Sequence, residues 1–241
     1  MEMLAGTSGY SYKEWLGHFY PEKLPSGEML RYYARRLPTV EINNTFYRMP
    51  AASVLAGWSE QVPDRFAFTL KAPRSITHLK RLSDVETRVA EFLKRAGALN
   101  EKLGAVLFQL PPFLKKDLSR LRDFLGLLPP GLDVAVEFRH ASWHDDEVYA
   151  TLRDHAALLC VSDRDKDDVS PVSTIATSDR AYLRLRRANY DDDALKVWIE
   201  RLASRDLTRA YVYFKHEVEG LAARMAGRFD ELWRSRPAET L

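Results

Sequence analysis

Eight short runs of β-forming residues alternate with segments of helical period along this chain, and that alternation leaves few folds open to it. The runs cover residues 4–8, 39–43, 66–71, 105–110, 134–138, 158–162, 180–186 and 209–215. Between them lie apolar stripes at helical spacing, such as Val85, Val89, Phe92, Ala96 and Leu99, or Leu195, Trp198, Ile199 and Leu202. Further helices are expected over 27–37, 53–61 and 117–128. Ser83-Asp84-Val85-Glu86 has the spacing of a capping box, and Ser142-Trp143-His144-Asp145 offers a similar helix start. The polar stretch 163–179 holds no convincing helix, so the crossover after the sixth strand is expected to be irregular or loop-like. Strands alternating with helices over 241 residues, near the ~250 of an eight-stranded α/β barrel, predict a single (β/α)₈ TIM-barrel domain across 1–241.

Strand phase predicts where the chemistry lies. Successive side chains of a barrel strand face the helices and the interior in turn. One phase is apolar throughout: Val40 and Ile42, Phe66 and Phe68, Val106 and Phe108, Val134 and Val136, Leu183 and Leu185, Val212 and Phe214. The other carries Glu41 and Asn43, Thr69 and Lys71, Gln109, Glu137 and Arg139, Arg184 and Arg186, Tyr213 and Lys215. These polar groups gather at the C-terminal ends of six strands, the face on which barrel enzymes build their sites. A buried ion-pair network would place the same residue types there, but such networks need excellent geometry to offset desolvation. A ligand site is the simpler account.

The remaining composition narrows the function classes. A net charge of +2 gives no general reason to bind nucleic acid or membrane, so any electropositive site must be local. The single cysteine, Cys160, lies in an apolar run and reads as a buried structural thiol. Met1 to Gly6 shows no basic region leading into a long apolar stretch, and no run approaches the ~18 apolar residues of a spanning helix. A cytoplasmic protein without membrane partners is expected.

Gly6-Thr7-Ser8-Gly9-Tyr10-Ser11-Tyr12 with Trp15 and Phe19-Tyr20-Pro21, then Thr39 to Arg48 (TVEINNTFYR), resembles the YecE-like family, domain of unknown function 72. Lys71-Ala72-Pro73 with Thr77-His78, Phe108-Gln109-Leu110-Pro111-Pro112, Glu137-Phe138-Arg139-His140 with Ser142-Trp143, and Tyr182-Leu183-Arg184-Leu185 extend the resemblance over essentially the whole chain. It implies a barrel akin to the endonuclease-IV and xylose-isomerase-like barrels and brings no established activity. Where that family usually carries a Tyr-Phe-Asn-Asn pattern after the last strand, this chain has Phe214-Lys215-His216-Glu217, which replaces an amide with charge.

Three roles follow for the candidate residues. Glu41 and Glu137 are the acid/base candidates, and His78 joins them because imidazole titrates near neutrality. Lys71, Arg139, Arg184 and Lys215 would hold an anionic ligand through charge-assisted hydrogen bonds, with Asn43 and Gln109 positioning it. Tyr10, Tyr12 and Trp15, in the aromatic loop 9–26, either pack that loop down or stack on a ring of the ligand. No cofactor is expected. A divalent metal on Glu41, His78, Glu137, Asp163 or His216 is the disfavoured alternative, since no HExxH-type spacing occurs and a cationic lining repels a further cation. The leading expectation is an enzyme, hydrolytic among other options, acting on a phosphate- or carboxylate-bearing small molecule. A non-catalytic nucleic-acid-binding barrel is the alternative, and a small-molecule sensor or structural barrel is the third.

Overall fold

The computed structural model describes residues 1–163, 176–216 and 218–236. Eight parallel strands close in sequence order into a barrel: β1 (Glu2–Ser8), β2 (Thr39–Ile42), β3 (Ala67–Lys71), β4 (Leu103–Gln109), β5 (Asp133–Glu137), β6 (Leu158–Asp163), β7 (Arg180–Leu185) and β8 (Arg209–Phe214). Every expected strand is present within a residue or two. Seven α-helices lie among the described residues: α1 (Met29–Ala34), α2 (Ala52–Glu60), α3 (Glu86–Ala96), α4 (Leu118–Leu125), α5 (Asp146–Asp154), α6 (Asp192–Ala203) and α7 (Leu221–Arg234). The expectation for the β6–β7 crossover falls mainly on 164–175, outside the described residues. No helix among them is long and apolar enough to cross a membrane.

The two strand phases separate as their chemistry requires. Val40, Phe68, Val106, Val136, Leu183 and Phe214 join the helix stripes in one buried shell, which includes Val89, Phe92, Phe124, Trp198 and Phe229. Inside the barrel a second, smaller cluster forms from Leu4, Ala105, Leu107, Ala135, Leu158, Cys160, Tyr182, Tyr211 and Tyr213. The three tyrosines fill the volume left by the alanines, with Tyr182 5.3 Å from Tyr213 and 6.0 Å from Tyr211 between ring centroids. Gly6 permits a close approach of β1 to β2, because a Cβ there would stand 2.0 Å from the Thr39 carbonyl oxygen.

Helix starts correct the sequence reading at two places. The Ser83–Glu86 capping box does not form: α3 begins at Glu86 behind Val85, with no side-chain cap, and Arg81, Leu82 and Asp84 all have positive φ. After β5, residues 141–143 make a 3₁₀ turn, and the cap of α5 is Asp145, whose carboxylate accepts from the Glu147 N–H at 3.0 Å. Asp117 caps α4 in the same way, accepting from the Arg120 N–H at 3.0 Å.

Candidate functional site at the barrel mouth

Register brings the polar groups together before any side-chain contact is considered. Ser8 pairs with Glu41 across β1–β2, Gln109 with Glu137 across β4–β5, and Ser162 with Arg184 across β6–β7. All six lie near the C-terminal ends of their strands and point inward. Arg184, only 1% exposed, spans the interior between the two carboxylates. Its Nη1 donates to Glu137 Oε2 at 2.6 Å and its Nη2 to Glu41 Oε1 at 2.7 Å.

Each carboxylate is further fixed. Glu41 accepts from the Tyr182 hydroxyl at 2.6 Å, from Ser8 Oγ at 2.7 Å and from Asn43 Nδ2 at 3.2 Å. Glu137 accepts from Gln109 Nε2 at 2.7 Å and Arg139 Nε at 3.1 Å. Gln109 turns its amide oxygen to Lys71 Nζ at 2.9 Å, extending the chain of contacts to β3. Lys71 Nζ also stands 4.1 Å from the centroid of the Phe46 ring, and His78 meets that ring edge-on at 4.8 Å.

Burial and charge compete at every titratable group here, and charge decides for the acids. Burial pushes the Glu41 carboxyl up, but Arg184 and the Tyr182 and Ser8 hydroxyls outweigh it and hold it below the usual range. For Glu137, burial again opposes and the guanidinium groups of Arg184, Arg186 and Arg139 prevail, holding it well below that range. At Lys71 burial decides instead: burial first, then Arg184, bring its ammonium down to about 8 despite Glu137 and Glu41. Burial, Lys71 and Arg139 lower His78, so its imidazole is neutral at pH 7.

The expected convergence therefore holds for Glu41, Asn43, Lys71, Gln109, Glu137, Arg139 and Arg184, with His78 beside Lys71. It does not extend to Lys215, which follows the end of β8 and is exposed, outside the buried network. Trp15 is a second correction. It is fully buried, with Phe19 edge-on at 5.5 Å and Tyr20 at 5.9 Å, so it packs the first loop down and offers no face to a ligand. Tyr12 donates to the Ser8 carbonyl at 2.6 Å and Tyr20 to the Tyr10 carbonyl at 2.6 Å, which seats both rings within the loop's own structure. Gly220 (φ +67°) lets the chain before α7 pass against this loop, since a Cβ would meet Phe19 Cβ at 2.8 Å.

Two network members escaped the sequence reading. Ser8 and Tyr182 close the hydrogen-bond set of Glu41, and strand phase could have found both, as Tyr182 precedes Arg184 by two and Ser8 ends β1. Of the other metal-ligand candidates, Asp163 accepts from Arg187 Nε at 2.9 Å and Tyr190 OH at 3.1 Å, and His216 Nε2 engages the Arg187 carbonyl. Among the described residues no group of three His, Cys, Asp or Glu side chains is placed to hold a metal. Cys160 is buried within the barrel, and burial pushes its thiol well up.

Comparison with known proteins agrees with this architecture. The family model described as "Protein of unknown function DUF72" matches residues 4–240. The UPF0759 protein YunF of Bacillus subtilis (strain 168) is 30% identical over 142 residues, 54% of this chain and 49% of that one, so the match spans about half of the curated relative. A DUF72 family crystal structure from Thermotoga maritima superposes with a TM-score of 0.87 at 30% identity, covering 98% of this chain and 100% of that one. Another from Enterococcus faecalis gives 0.79 at 19% identity, covering 98% of each, and speaks to the fold alone. With its family model matched almost end to end, this chain is a member of the DUF72 family of (β/α)₈ barrels.

Proposed function

We propose that the mouth of the barrel binds an anionic small molecule, bearing a phosphate or carboxylate, and acts on it by acid–base chemistry. One observation carries the reading. Among the described residues, three cationic side chains, Arg184, Arg139 and Lys71, converge on a cluster whose carboxylates are Glu41 and Glu137. Arg184 is consumed internally, clamped by both acids. The excess charge belongs to the rim, where Lys71 and Arg139 are only partly buried and can reach solvent. An anion is the ligand that such an excess favours.

The division of labour follows from the charge states. Carboxylates held this firmly ionised are weak bases, so Glu41 and Glu137 serve best by fixing Arg184 and Arg139. Lys71, brought down to about 8, lies near the operating pH, and neutral His78 can accept a proton, so this pair suits proton transfer. Isothermal titration with inorganic phosphate, pyrophosphate and small carboxylates tests the binding step. Arg139→Ala is expected to weaken the best ligand at least tenfold. Equal affinity in wild type and an Arg139→Ala, Lys71→Met double variant would sink the reading.

A second reading rests on the neighbouring loops. Residues 43–50, 72–83 and 110–116, after β2, β3 and β4, contain six Lys or Arg and no Asp or Glu. They also expose Tyr47 (73%), Leu79 (64%) and Phe113 (64%). Basic loops with exposed rings suit a single-stranded nucleic acid, whose phosphates and bases they could meet together.

A further inference from the structure

Among the described residues Lys71 is the one amine inside the polar network, and its surroundings differ from those of a structural lysine. It makes no ion pair among the described residues: its partner is the neutral amide oxygen of Gln109 at 2.9 Å. The Phe46 ring covers one side at 4.1 Å. The ammonium stays partly accessible at the C-terminal end of β3. On the same ring sits His78, whose Nδ1 pairs with the Thr77 hydroxyl at 2.9 Å, leaving Nε2 for proton exchange. Thr45 Oγ1 donates to the Lys71 carbonyl at 2.6 Å and ties the Phe46 turn to the end of β3, so the geometry is built in rather than incidental.

We propose that Lys71 is a covalent nucleophile of the site, forming an imine with the aldehyde or ketone carbon of an anionic carbonyl compound. The proposal rests on the anion-binding reading above and adds the substrate class to it. In the step, the lone pair of the neutral amine attacks the carbonyl carbon, a C–N bond forms, and the C=O π pair moves to oxygen. The amine nitrogen gives up a proton to His78 Nε2, and His78 hands that proton to the alkoxide, giving a carbinolamine. A solvent proton relayed through His78 then releases the hydroxyl as water and leaves the iminium, which gives the proton back on becoming the neutral imine. Amine plus carbonyl becomes imine plus water, and no oxidant or reductant is consumed.

The charges around Lys71 favour this use. Arg184 and Arg139 press its ammonium toward the neutral form, Glu137 and Glu41 resist, and His78 is itself held neutral. With the ammonium brought down to about 8, a useful fraction of free amine is present near neutrality, where an ordinary lysine has almost none. Arg139, one of the cations that lower it, also stands at the rim for the anionic end of the substrate.

Pyridoxal phosphate, an aldehyde that carries a phosphate, serves as the probe. The full-length protein is incubated with a limiting amount, reduced with borohydride and digested, and the modified lysine is located by mass spectrometry. Lys71 is expected to take most of the label, with excess inorganic phosphate protecting it and the labelling rate levelling off above pH 8. Lys71→Arg should lose that label, and binding of pyridoxamine phosphate, which cannot form an imine, is followed in the wild type, where excess phosphate is expected to displace it. Circular dichroism checks that the variant is folded. Label spread evenly over surface lysines, with pyridoxamine phosphate still bound and displaced by phosphate, overturns the imine and leaves the anion site standing. Preferential labelling of Lys71 by unphosphorylated pyridoxal, unprotected by phosphate, would instead support the amine and remove the anion reading.

Discussion

Arg184 shows most directly how single residues hold this site together. A fully buried guanidinium is stabilising only while both of its acids remain ionised, and removing it leaves Glu41 without its ion-pair partner and Glu137 with one ion pair fewer. Arg184→Met is expected to cost about 3–5 kcal/mol at pH 7, the cost of breaking a buried ion pair from one side. The pH dependence tests the cause. In the wild type both acids titrate below their unfolded values, so their pairing contributes stability above about pH 4.3 and loses it as pH falls through the folded values. In Arg184→Met, Glu41 has lost its ion-pair partner, burial then raises it, and the penalty is relieved as it protonates. The stability gap between the two proteins, measured by urea unfolding from pH 7 to pH 4, should narrow as pH falls. A gap that stays constant would mean that Arg184 contributes through packing and not through charge. The network was legible in the sequence because interior position follows from a period of two, which places Glu41, Gln109, Glu137 and Arg184 without any contact being known. The aromatic loop was not legible in the same way, since Trp15 packing inward and Trp15 facing a ligand require the same residues at the same spacing.

At the scale of the element, apolar periodicity fixed the helices and local chemistry fixed their ends less well. The stripe of α6 sets Trp198 against the strands, 5% exposed, as its spacing with Leu195, Ile199 and Leu202 predicts. Trp198→Ala should cost roughly 3–5 kcal/mol in chemical unfolding, and a loss below about 1 kcal/mol would contradict the inward register. The failure at α3 is informative. Ser83 and Glu86 have the right spacing for a reciprocal cap, but the positive φ of Asp84 between them breaks the geometry that the pair needs. Such a backbone angle is set by tertiary packing, here the burial of Leu82 and Val85, and leaves no mark in a short motif. Asp117→Ala is therefore expected to cost about 1 kcal/mol by losing a formed cap, whereas Ser83→Ala should change stability by no more than about 0.5 kcal/mol. Thermal unfolding of the two variants side by side decides the point. If the serine substitution proved the more costly, α3 would start earlier in solution than its φ angles indicate.

Across the whole molecule, charge is distributed unequally although the total is small. The outer helices carry mixed, largely paired charges, such as Arg228 with Asp192 and Glu231, or Lys196 with Asp193. Among the described residues, excess positive charge collects instead in the mouth cluster and the acid-free loops after β2, β3 and β4. A net charge of +2 conceals this asymmetry, because summing a sequence discards position. The same asymmetry separates the two functional readings by ionic strength. A small anion seated in the mouth engages two or three cations, so its affinity should fall gently as salt rises. A single strand lying across the loops would release one counterion per neutralised phosphate, with a slope of log affinity on log salt near −0.7 for each contact. Engaging most of the six loop cations predicts a slope of about −3 to −4 on that basis, with little change on Arg139→Ala. Fluorescence anisotropy of labelled oligo-dT and oligo-U between 50 and 300 mM salt, roughly the range over which such contacts are screened, measures it directly. The small-anion reading expects weak oligonucleotide binding that tracks the mouth residues and is insensitive to Arg48→Ala, Arg81→Ala and Phe113→Ala. Tight binding with a steep slope, lost in those three variants and kept in Arg139→Ala, would shift the function of this barrel from its mouth to its rim.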